Sequence, residues 1–334
     1  MNTKTDRRNF IKTAGFAGLY AALGPGFTGI AAASAEQRRV GIIGLDTSHS
    51  VEFIKSLNKA KDTTTYNAYY VSIAYPYGSR TIKSSYSRID QFTREAKENG
   101  VTIAGSIDEL LNNCDVVLLE TNDGNLHLEQ ATKVFRSGKK VFIDKPVAGQ
   151  MKDVISIYQL AKKYNTPMFS ASSLRYIEKA QQVRANTYGK VLGATAFSPA
   201  TIDATHTDLF WYGIHGVELL YTIMGTGCVS VQQTSTPETD VVVGTWNDGR
   251  IGVFRGTRNG KHDYGGIVHA EKATVFIDKY DGYDPLLKEI IKFFETGIAP
   301  VAAAETLEIY AFMDAAAKSK MNKGDRVNLQ KIVL

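Results

Sequence analysis

Cysteine is scarce in this chain, and its scarcity excludes several kinds of protein. Only Cys114 and Cys228 occur among 334 residues, too few for a disulfide framework or a cysteine zinc site. Cys114 lies just before the apolar run that starts at Val116, so we expect it to be a small buried side chain. Blocks of like charge are absent as well, which argues against a nucleic-acid partner.

Long uninterrupted hydrophobic runs are also missing, even near the first residue. Residues 6–12 read DRRNFIK, and a stretch rich in Gly and Ala follows and ends in Ala33-Ser34-Ala35. This order predicts a cleavable signal peptide, and the pair Arg7-Arg8 predicts the twin-arginine export route. Gly24-Pro25-Gly26 interrupts the stretch, which argues against a membrane span. We predict a periplasmic or otherwise exported protein without a stable membrane anchor, whose mature chain begins near Glu36.

The charge and length of the remaining chain set its general class. Residues 1–35 hold four basic residues and one acidic residue, so without them the formal charge falls from +5 to +2. About 300 residues remain, enough for two domains that share a ligand cleft. No internal repeat, low-complexity tract or proline-rich linker interrupts them.

Short apolar runs alternate with helical patterns as far as residue 170. The runs are continuous enough for strands buried on both faces, and the segments between them have a helical period. This alternation predicts a parallel, doubly wound sheet. The predicted strands are residues 40–43, 69–74, 116–119 and 140–143, and the predicted helices are residues 51–60, 89–99, 107–112 and 126–136.

After Leu174 the pattern changes, and tyrosine and threonine become frequent. Residues 240–246 and 250–256 are joined by Asn247-Asp248-Gly249, which predicts two antiparallel strands with a tight turn. Helices are expected over residues 209–224 and 304–318. The second half is therefore predicted to be an open, mostly antiparallel sheet with helices.

One lysine stands where a predicted strand ends. Residues 139–146 read KKVFIDKP, and the strand gives way to Asp144-Lys145-Pro146. Open α/β sheets bind ligands beyond the carboxyl ends of their strands, and Pro146 ends the strand because it has no N–H for the ladder. Lys145 is therefore a candidate for proton transfer, and the alternative is a solvated lysine at a strand end.

A turn of the dinucleotide-binding type follows the first predicted strand, but two of its glycines are replaced. Gly44 is present in the Gly-x-Gly-x-x-Gly pattern, whereas Asp46 and His49 stand at the other two positions. Asp46 puts a carboxylate where a pyrophosphate would bind, and two unit charges about 4 Å apart repel by ~4 kcal/mol at an effective dielectric near 20. A dinucleotide must bind in a shifted pose, or Asp46 must turn away, or the nucleotide site is lost. Residues 46–48 also suit a plain helix N-cap.

The acidic residue that usually holds a ribose is missing after the second strand. Residues 75–80 read YPYGSR there. Ser79 and Arg80 could receive a 2′-phosphate instead, and the alternative is an ordinary loop arginine.

Four motifs follow one another in an informative order. Asp144-Lys145-Pro146 is similar to a Glu-Lys-Pro motif, Leu174-Arg175-Tyr176 to an Arg-Tyr segment, and residues 188–193 to Gly-x-(Ile/Val)-Gly. Residues 211–218 resemble an Asp-x-Gly-x-His-x-x-Asp helix in which His215 is kept, Glu218 replaces the last Asp and Trp211 the first. Over residues 40–334 the chain thus resembles the Gfo/Idh/MocA family of glucose–fructose oxidoreductases, inositol dehydrogenases and their relatives.

The resemblance implies a fold and an activity. The fold is an N-terminal Rossmann-like doubly wound parallel sheet followed by an α+β domain with an open, mostly antiparallel sheet. The expected divisions are a signal peptide over residues 1–35, a nucleotide-binding domain over 36–172 and a substrate domain over 173–334. In the family, a lysine and a histidine move the hydroxyl proton while the nicotinamide takes or gives a hydride, and here these are Lys145 and His215. On an apolar helix face, His215 would otherwise be a satisfied core histidine.

The resemblance also implies ligands and their contacts. The cofactor is NAD or NADP, tightly bound because an exported enzyme meets no free nucleotide pool, and the substrate is a small carbohydrate. Trp211 offers a platform for a sugar face, and a homo-oligomer through the C-terminal sheet is expected. The expected cofactor contacts are Gly44, Leu45, Asp46, Thr47, Ser48, His49, Ser79, Arg80, Thr121, Asn122 and Lys145; the expected substrate contacts are Arg175, Tyr176, His206, Asp208, Trp211 and His215.

Two classes of function stay open on the sequence. The first is an NAD(P)-dependent oxidoreductase that acts on a CH–OH group of a sugar, polyol or glycoside and recycles its cofactor. The same class includes a related glycosidase or lyase that works through a 3-keto sugar. The second is a non-redox carbohydrate-binding protein that has lost the nucleotide. No metal is predicted, since His206, Asp208 and His215 lack an i, i+4 ligand pair. Residues 280–283 (YDGY) are a cleft rim or a simple turn.

Overall fold

The computed structural model describes residues 37–59, 65–261, 263–332 and 334. The predicted signal peptide over residues 1–35 lies outside them. Within the described ranges, no helix is both long and apolar enough to cross a membrane. Cys114 and Cys228 are buried and free, which confirms the expectation for Cys114, and burial raises the pKa of its thiol to about 11.

A six-stranded parallel sheet forms from the apolar runs of the first half. Its strands are β1 (Arg38–Ile43), β2 (Tyr69–Tyr75), β3 (Thr102–Ile103), β4 (Val116–Leu119), β5 (Val141–Ile143) and β6 (Met168–Phe169). Their order is β3-β2-β1-β4-β5-β6, and all neighbours are parallel. The order reverses between β1 and β4, so a crevice opens beyond the carboxyl ends of these two strands.

Helices connect these strands, as the sequence predicts. They are α1 (Ser48–Lys59), α2 (Lys83–Tyr86), α3 (Ile89–Glu98), α4 (Ile107–Asn112), α5 (His127–Arg136) and α6 (Met151–Lys163), with a 3₁₀ turn at Gly124–Leu126. Helix α1 begins three residues before its predicted start, because Thr47 Oγ1 accepts from the His49 amide at 3.5 Å and caps the first turn. Helix α5 stops before Gly138, whose φ of +71° favours glycine.

The second half forms a seven-stranded sheet. Its strands are β7 (Val191–Pro199), β8 (Cys228–Ser235), β9 (Thr239–Trp246), β10 (Ile251–Thr257), β11 (Gly265–Ala270), β12 (Thr274–Ile277) and β13 (Val327–Asn328). They lie in the order β12-β11-β7-β10-β9-β8-β13. The β7–β10 pair is parallel and the other pairs are antiparallel. The predicted fold class is therefore confirmed.

The helices of the second half correct one prediction. They are α7 (Glu178–Arg184), α8 (Asp208–Trp211), α9 (Ile214–Met224), α10 (Asp284–Thr296) and α11 (Ala303–Met321), with a 3₁₀ turn at Ser173–Tyr176. A single helix over residues 209–224 is wrong, because the Tyr212 backbone (φ −131°) leaves the helical conformation between α8 and α9. Every side chain of α9 is buried, and α10 packs Ile290 and Phe293 onto the core of the first sheet beside Val40 and Ile42.

Candidate functional site

A cavity of about 330 Å³ lies beyond the carboxyl ends of the parallel strands, and the second half of the chain closes its other side. Open α/β sheets bind ligands at this edge. The first half contributes Thr47, Ser48, His49, Ser84, Arg88, Asn122 and Lys145 to the walls, and the second half contributes Ser173, Leu174, Thr201, Trp211, Tyr212, His215, Tyr264, Tyr280 and Tyr283.

Lys145 lies in the cavity wall, two residues after the end of β5. Its side chain is almost buried, so the solvated strand-end alternative does not describe it. Its ammonium lies 5.9 Å from the ring centroid of Tyr212, a cation–π distance. Beside it, burial acts to raise the pKa of Asp144, but the neighbouring His49 and Lys145 lower it to about 2. Asp144 is therefore an anion at neutral pH.

His215 lines the cavity from the first turn of α9. Its Nδ1 lies 2.8 Å from Ser172 Oγ, and the Ser172 amide donates to Glu218 Oε2 at 2.8 Å. Burial lowers the pKa of His215 well below its ordinary value, and the neighbouring Lys145 and His49 lower it further. The imidazole is therefore neutral, and Ser172 fixes its orientation.

Asp46 does not line the cavity, and its side chain turns toward the neighbouring loops. Its carboxylate accepts from the amides of Ser79 at 3.4 Å and Asn122 at 3.0 Å, and from the Ser85 hydroxyl. The side chain has no exposed surface, and burial raises its pKa although these hydrogen bonds oppose the shift. Among the three sequence alternatives, this geometry corresponds to an Asp46 that has turned away. It joins the loops that follow β1, β2 and β4.

Residues 38–171 match the family model described as GFO_IDH_MocA, an oxidoreductase family with an NAD-binding Rossmann fold. In sequence, the chain is 24% identical over 156 residues to an uncharacterized oxidoreductase of Streptococcus pneumoniae serotype 4. That match covers 45% of this chain and 42% of the relative, so it spans less than two thirds of the relative's length.

Solved structures share the architecture over most of the chain. A myo-inositol 2-dehydrogenase from Lactobacillus plantarum has a TM-score of 0.70 at 16% identity and covers 88% of this chain and 100% of its own. The myo-inositol dehydrogenase of Lactobacillus casei, solved with NAD(H) and myo-inositol, scores 0.69 at 13% identity, with coverage of 89% and 98%. A Bordetella pertussis dehydrogenase with NADH and UDP-GlcNAcA scores 0.69 at 18% identity, with coverage of 88% and 99%. At these identities the likeness shows the fold alone.

The cofactor that this fold implies is a nicotinamide dinucleotide, and the α1 end of the cavity fits its anionic part. Thr47 and Ser48 line the cavity where α1 begins, and a helix N-terminus attracts anions. Arg88 lines the same cavity, and its Nε is buried without a hydrogen-bond partner among the described residues. Because Asp46 is withdrawn, its charge does not line this part of the cavity.

The remaining predicted cofactor residues fall into two groups. Thr47, Ser48, His49, Asn122 and Lys145 line the cavity. Gly44, Leu45, Asp46, Ser79, Arg80 and Thr121 do not, and all of these except Arg80 are buried around the turn. A Cβ on Gly44 (φ +98°) would lie 2.4 Å from the Thr121 amide nitrogen, so this approach requires glycine.

Of the predicted substrate residues, Trp211 and His215 line the cavity and the other four do not. Arg175 is buried in ion pairs of 2.7 Å with Glu218 and with Glu305. Tyr176 packs against the core of the first sheet. The other two residues also have partners elsewhere: His206 Nδ1 lies 2.9 Å from Thr205 Oγ1, and Asp208 pairs with Lys320 at 2.5 Å. The predicted substrate set is therefore not brought together.

The sequence analysis missed Tyr212, Tyr264 and Glu120, and it left the YDGY segment open between a cleft rim and a turn. Tyr212 and Tyr264 place their hydroxyls 3.1 Å apart, and the Tyr283 ring lies 4.7 Å from that of His49. Tyr280 and Tyr283 put the YDGY segment in the cavity wall, whereas nothing in the sequence marks Tyr264. Glu120 does have a signal, because it is a carboxylate placed directly after a strand that is buried throughout.

Proposed function

We propose that this chain is an oxidoreductase that acts on a CH–OH group of a sugar, polyol or glycoside, with a tightly bound nicotinamide dinucleotide that it recycles within each turnover. The observation that carries the proposal is the placement of Lys145 and a neutral His215 in one cavity at the ligand-binding edge of the sheet. The match of residues 38–171 to an oxidoreductase family supports it. When bound, the nicotinamide supplies the chemistry of hydride transfer.

The chain's own residues position the substrate and move its proton. Lys145 exchanges the proton of the reacting hydroxyl, and His215 orients that hydroxyl. Ser172 and Glu218 keep the imidazole in place from behind. Trp211 and the tyrosines offer apolar faces with polar edges, which suits a hydroxylated ring. Thr47, Ser48 and Arg88 would hold the anionic part of the cofactor.

A denaturation experiment tests the cofactor first. The purified protein is unfolded, and the supernatant is examined by absorbance and mass spectrometry. We expect close to one dinucleotide per chain, and the mass distinguishes NAD from NADP. The proposal would be contradicted if the chain released no dinucleotide and if none of the sugars tried changed its spectrum.

Single-turnover spectra with candidate sugars test the residues. Lys145→Ala should lower the rate of cofactor reduction by about 10² to 10⁴, because it removes a positioned acid–base group, and His215→Ala should lower it by less. Lys152→Ala and His269→Ala are matched controls, since both side chains are exposed. If His215→Ala lowers the melting temperature and leaves the rate unchanged, His215 is a core residue without a part in the reaction.

We also propose that the protein is exported by the twin-arginine route, on the strength of Arg7-Arg8 and Ala33-Ser34-Ala35. Export would explain why the cofactor must travel with the folded chain. Replacing both arginines with lysine should leave the protein in the cytoplasm, as cell fractionation would measure. N-terminal sequencing that finds an uncut chain in the membrane would contradict the proposal.

Self-association through the second sheet is a further part of the proposal. Ile251, Ile267 and Phe276 are exposed on that sheet, and Ile267 and Phe276 are direct cross-strand partners on one face. An exposed apolar face of this kind suits a second copy of the chain. Sedimentation should detect an oligomer that Phe276→Glu with Ile251→Glu converts to monomers. A wild-type monomer at micromolar concentration would contradict this.

One observation favours a second candidate, a non-redox carbohydrate-binding protein. Asp46 and His49 replace two of the three glycines that let a backbone approach a pyrophosphate. Under this alternative the protein binds a sugar, and denaturation releases no cofactor. The Lys145→Ala variant then changes the affinity for the sugar and nothing else. If the chain instead works through a 3-keto sugar as a glycosidase or lyase, a glycoside is cleaved with no net change of the bound cofactor.

A further inference from the structure

Three potential metal ligands converge beside the cavity. Glu120 directly follows β4, Asp144 directly follows β5, and His49 lies in the first turn of α1. All three side chains are buried, and their ligand atoms lie within 4.8 Å of one another. The convergence is a consequence of topology, because β4 and β5 are neighbours whose carboxyl ends meet at the edge that α1 borders.

Four polar atoms of this cluster have no hydrogen-bond partners among the described residues. Both oxygens of Glu120, the Nδ1 of His49 and the Oδ2 of Asp144 are buried and unbonded among the described residues. Buried polar groups are nearly always paired. The Nδ1 and Oδ2 atoms lie 2.8 Å apart but are not aligned as donor and acceptor, as expected for two atoms directed at a common third one.

The two carboxylates of the cluster lie beside each other in a buried setting. Glu120 has no exposed surface, and Asp144 is 2% exposed. A buried carboxylate without a partner is costly. A divalent ion in the cluster would neutralise Glu120 and Asp144 together.

We propose that His49, Glu120 and Asp144 bind one divalent transition-metal ion. One imidazole and two carboxylates form a mixed nitrogen and oxygen set, which suits Zn²⁺ or Mn²⁺. Bonds of about 2.0–2.2 Å place ligand atoms roughly 3–4 Å apart, so a modest closure of the cluster suffices. Three protein ligands leave a coordination position open, and His49 itself lines the cavity that contains Lys145 and His215.

The test measures metal, so it is independent of the proposed oxidoreductase activity. The full chain is purified, stripped with a chelator and dialysed against MnCl₂ or ZnCl₂. Metal content by mass spectrometry should reach one ion per chain, and the bound Mn²⁺ should give an altered electron paramagnetic resonance spectrum. Glu120→Gln should weaken binding at least tenfold, whereas Asp108→Asn, a matched change of an exposed carboxylate, should leave it unchanged. A wild-type chain that retains neither metal overturns the proposal, as does a Glu120→Gln chain that binds as tightly.

Melting curves guard against a variant that merely fails to fold. In chelator, Glu120→Gln should melt at or above the wild-type temperature, because the amide replaces an unpaired buried acid. Added Mn²⁺ or Zn²⁺ should then raise the melting temperature of the wild type and of Asp108→Asn, but not that of Glu120→Gln or His49→Asn. An equal rise in all four proteins overturns the proposal. Release of a dinucleotide on denaturation is scored separately, so the two proposals can fail independently.

Discussion

Asp46→Asn is the change that best tests how the crevice is built. The carboxylate accepts three hydrogen bonds, two of them from the buried amides of Ser79 and Asn122. An asparagine oxygen can replace one carboxylate oxygen, but the NH₂ group then faces a donor that it cannot satisfy. With the NH₂ group toward Asn122, that buried N–H loses its acceptor, whereas with the NH₂ group toward Ser79 the Ser79 N–H loses Asp46 but keeps Ser85 Oγ, 3.0 Å away. The second arrangement costs less, and the loss of one hydrogen bond lowers the free energy of unfolding by about 0.5–1.5 kcal/mol.

Urea denaturation measures this loss directly. A loss of about 0.5–1.5 kcal/mol corresponds to a melting temperature roughly 1–6 °C lower in a chain of this size. Asp108→Asn is the control, since that carboxylate is 73% exposed and should change the free energy of unfolding by less than about 0.5 kcal/mol. If Asp46→Asn is as stable as the wild type, the carboxylate does not join these loops.

Sequence alone suggests that Asp46→Gly restores an ordinary phosphate turn. In the structure this change removes all three hydrogen bonds of Asp46, so we expect it to weaken dinucleotide binding.

Further predictions concern the buried Arg175 network. Glu218→Ala leaves Arg175 paired with Glu305 and removes the acceptor of the Ser172 amide, so the free energy of unfolding should fall by about 3–5 kcal/mol. Arg184 lies at the exposed end of the network, so Arg184→Ala should lower the free energy of unfolding by less than about 1 kcal/mol. Urea titrations that measure equal losses for the two variants would refute this account. Burial acts to raise the pKa of Glu305, but Arg184 and Arg175 lower it below its usual value. Because the folded pKa is the lower one, Glu305 stabilises the fold above the unfolded pKa near ~4.3, and this contribution is lost as the pH falls through the folded pKa. The stability gap between wild type and Glu305→Gln should therefore narrow between pH 7 and pH 3, and a gap independent of pH would be inconsistent with the ion pairs.

Much of the first sheet could be predicted from the sequence because the signals for it are local. A continuous apolar run such as Val116–Leu119 is buried whichever neighbours it acquires, and Thr47 and Gly138 mark helix ends through their own side chain or backbone. The position of Lys145 followed from the same logic, since parallel strands present their carboxyl ends at one edge. The break at Tyr212 was missed, because the surrounding residues are apolar and suit a continuous helix.

The tertiary structure decided where the polar side chains point. Asp46 meets an amide 76 residues away in Asn122, and Arg175 meets Glu305 across 130 residues, so neither partner can be deduced from spacing along the chain. The cluster of His49, Glu120 and Asp144 likewise draws on the first turn of α1 and the ends of two strands. The sequence by itself determined which segments are buried and which strand ends carry chemistry. The direction of each buried charge depended on packing, because its free energy is set by whichever donors or cations the fold places beside it.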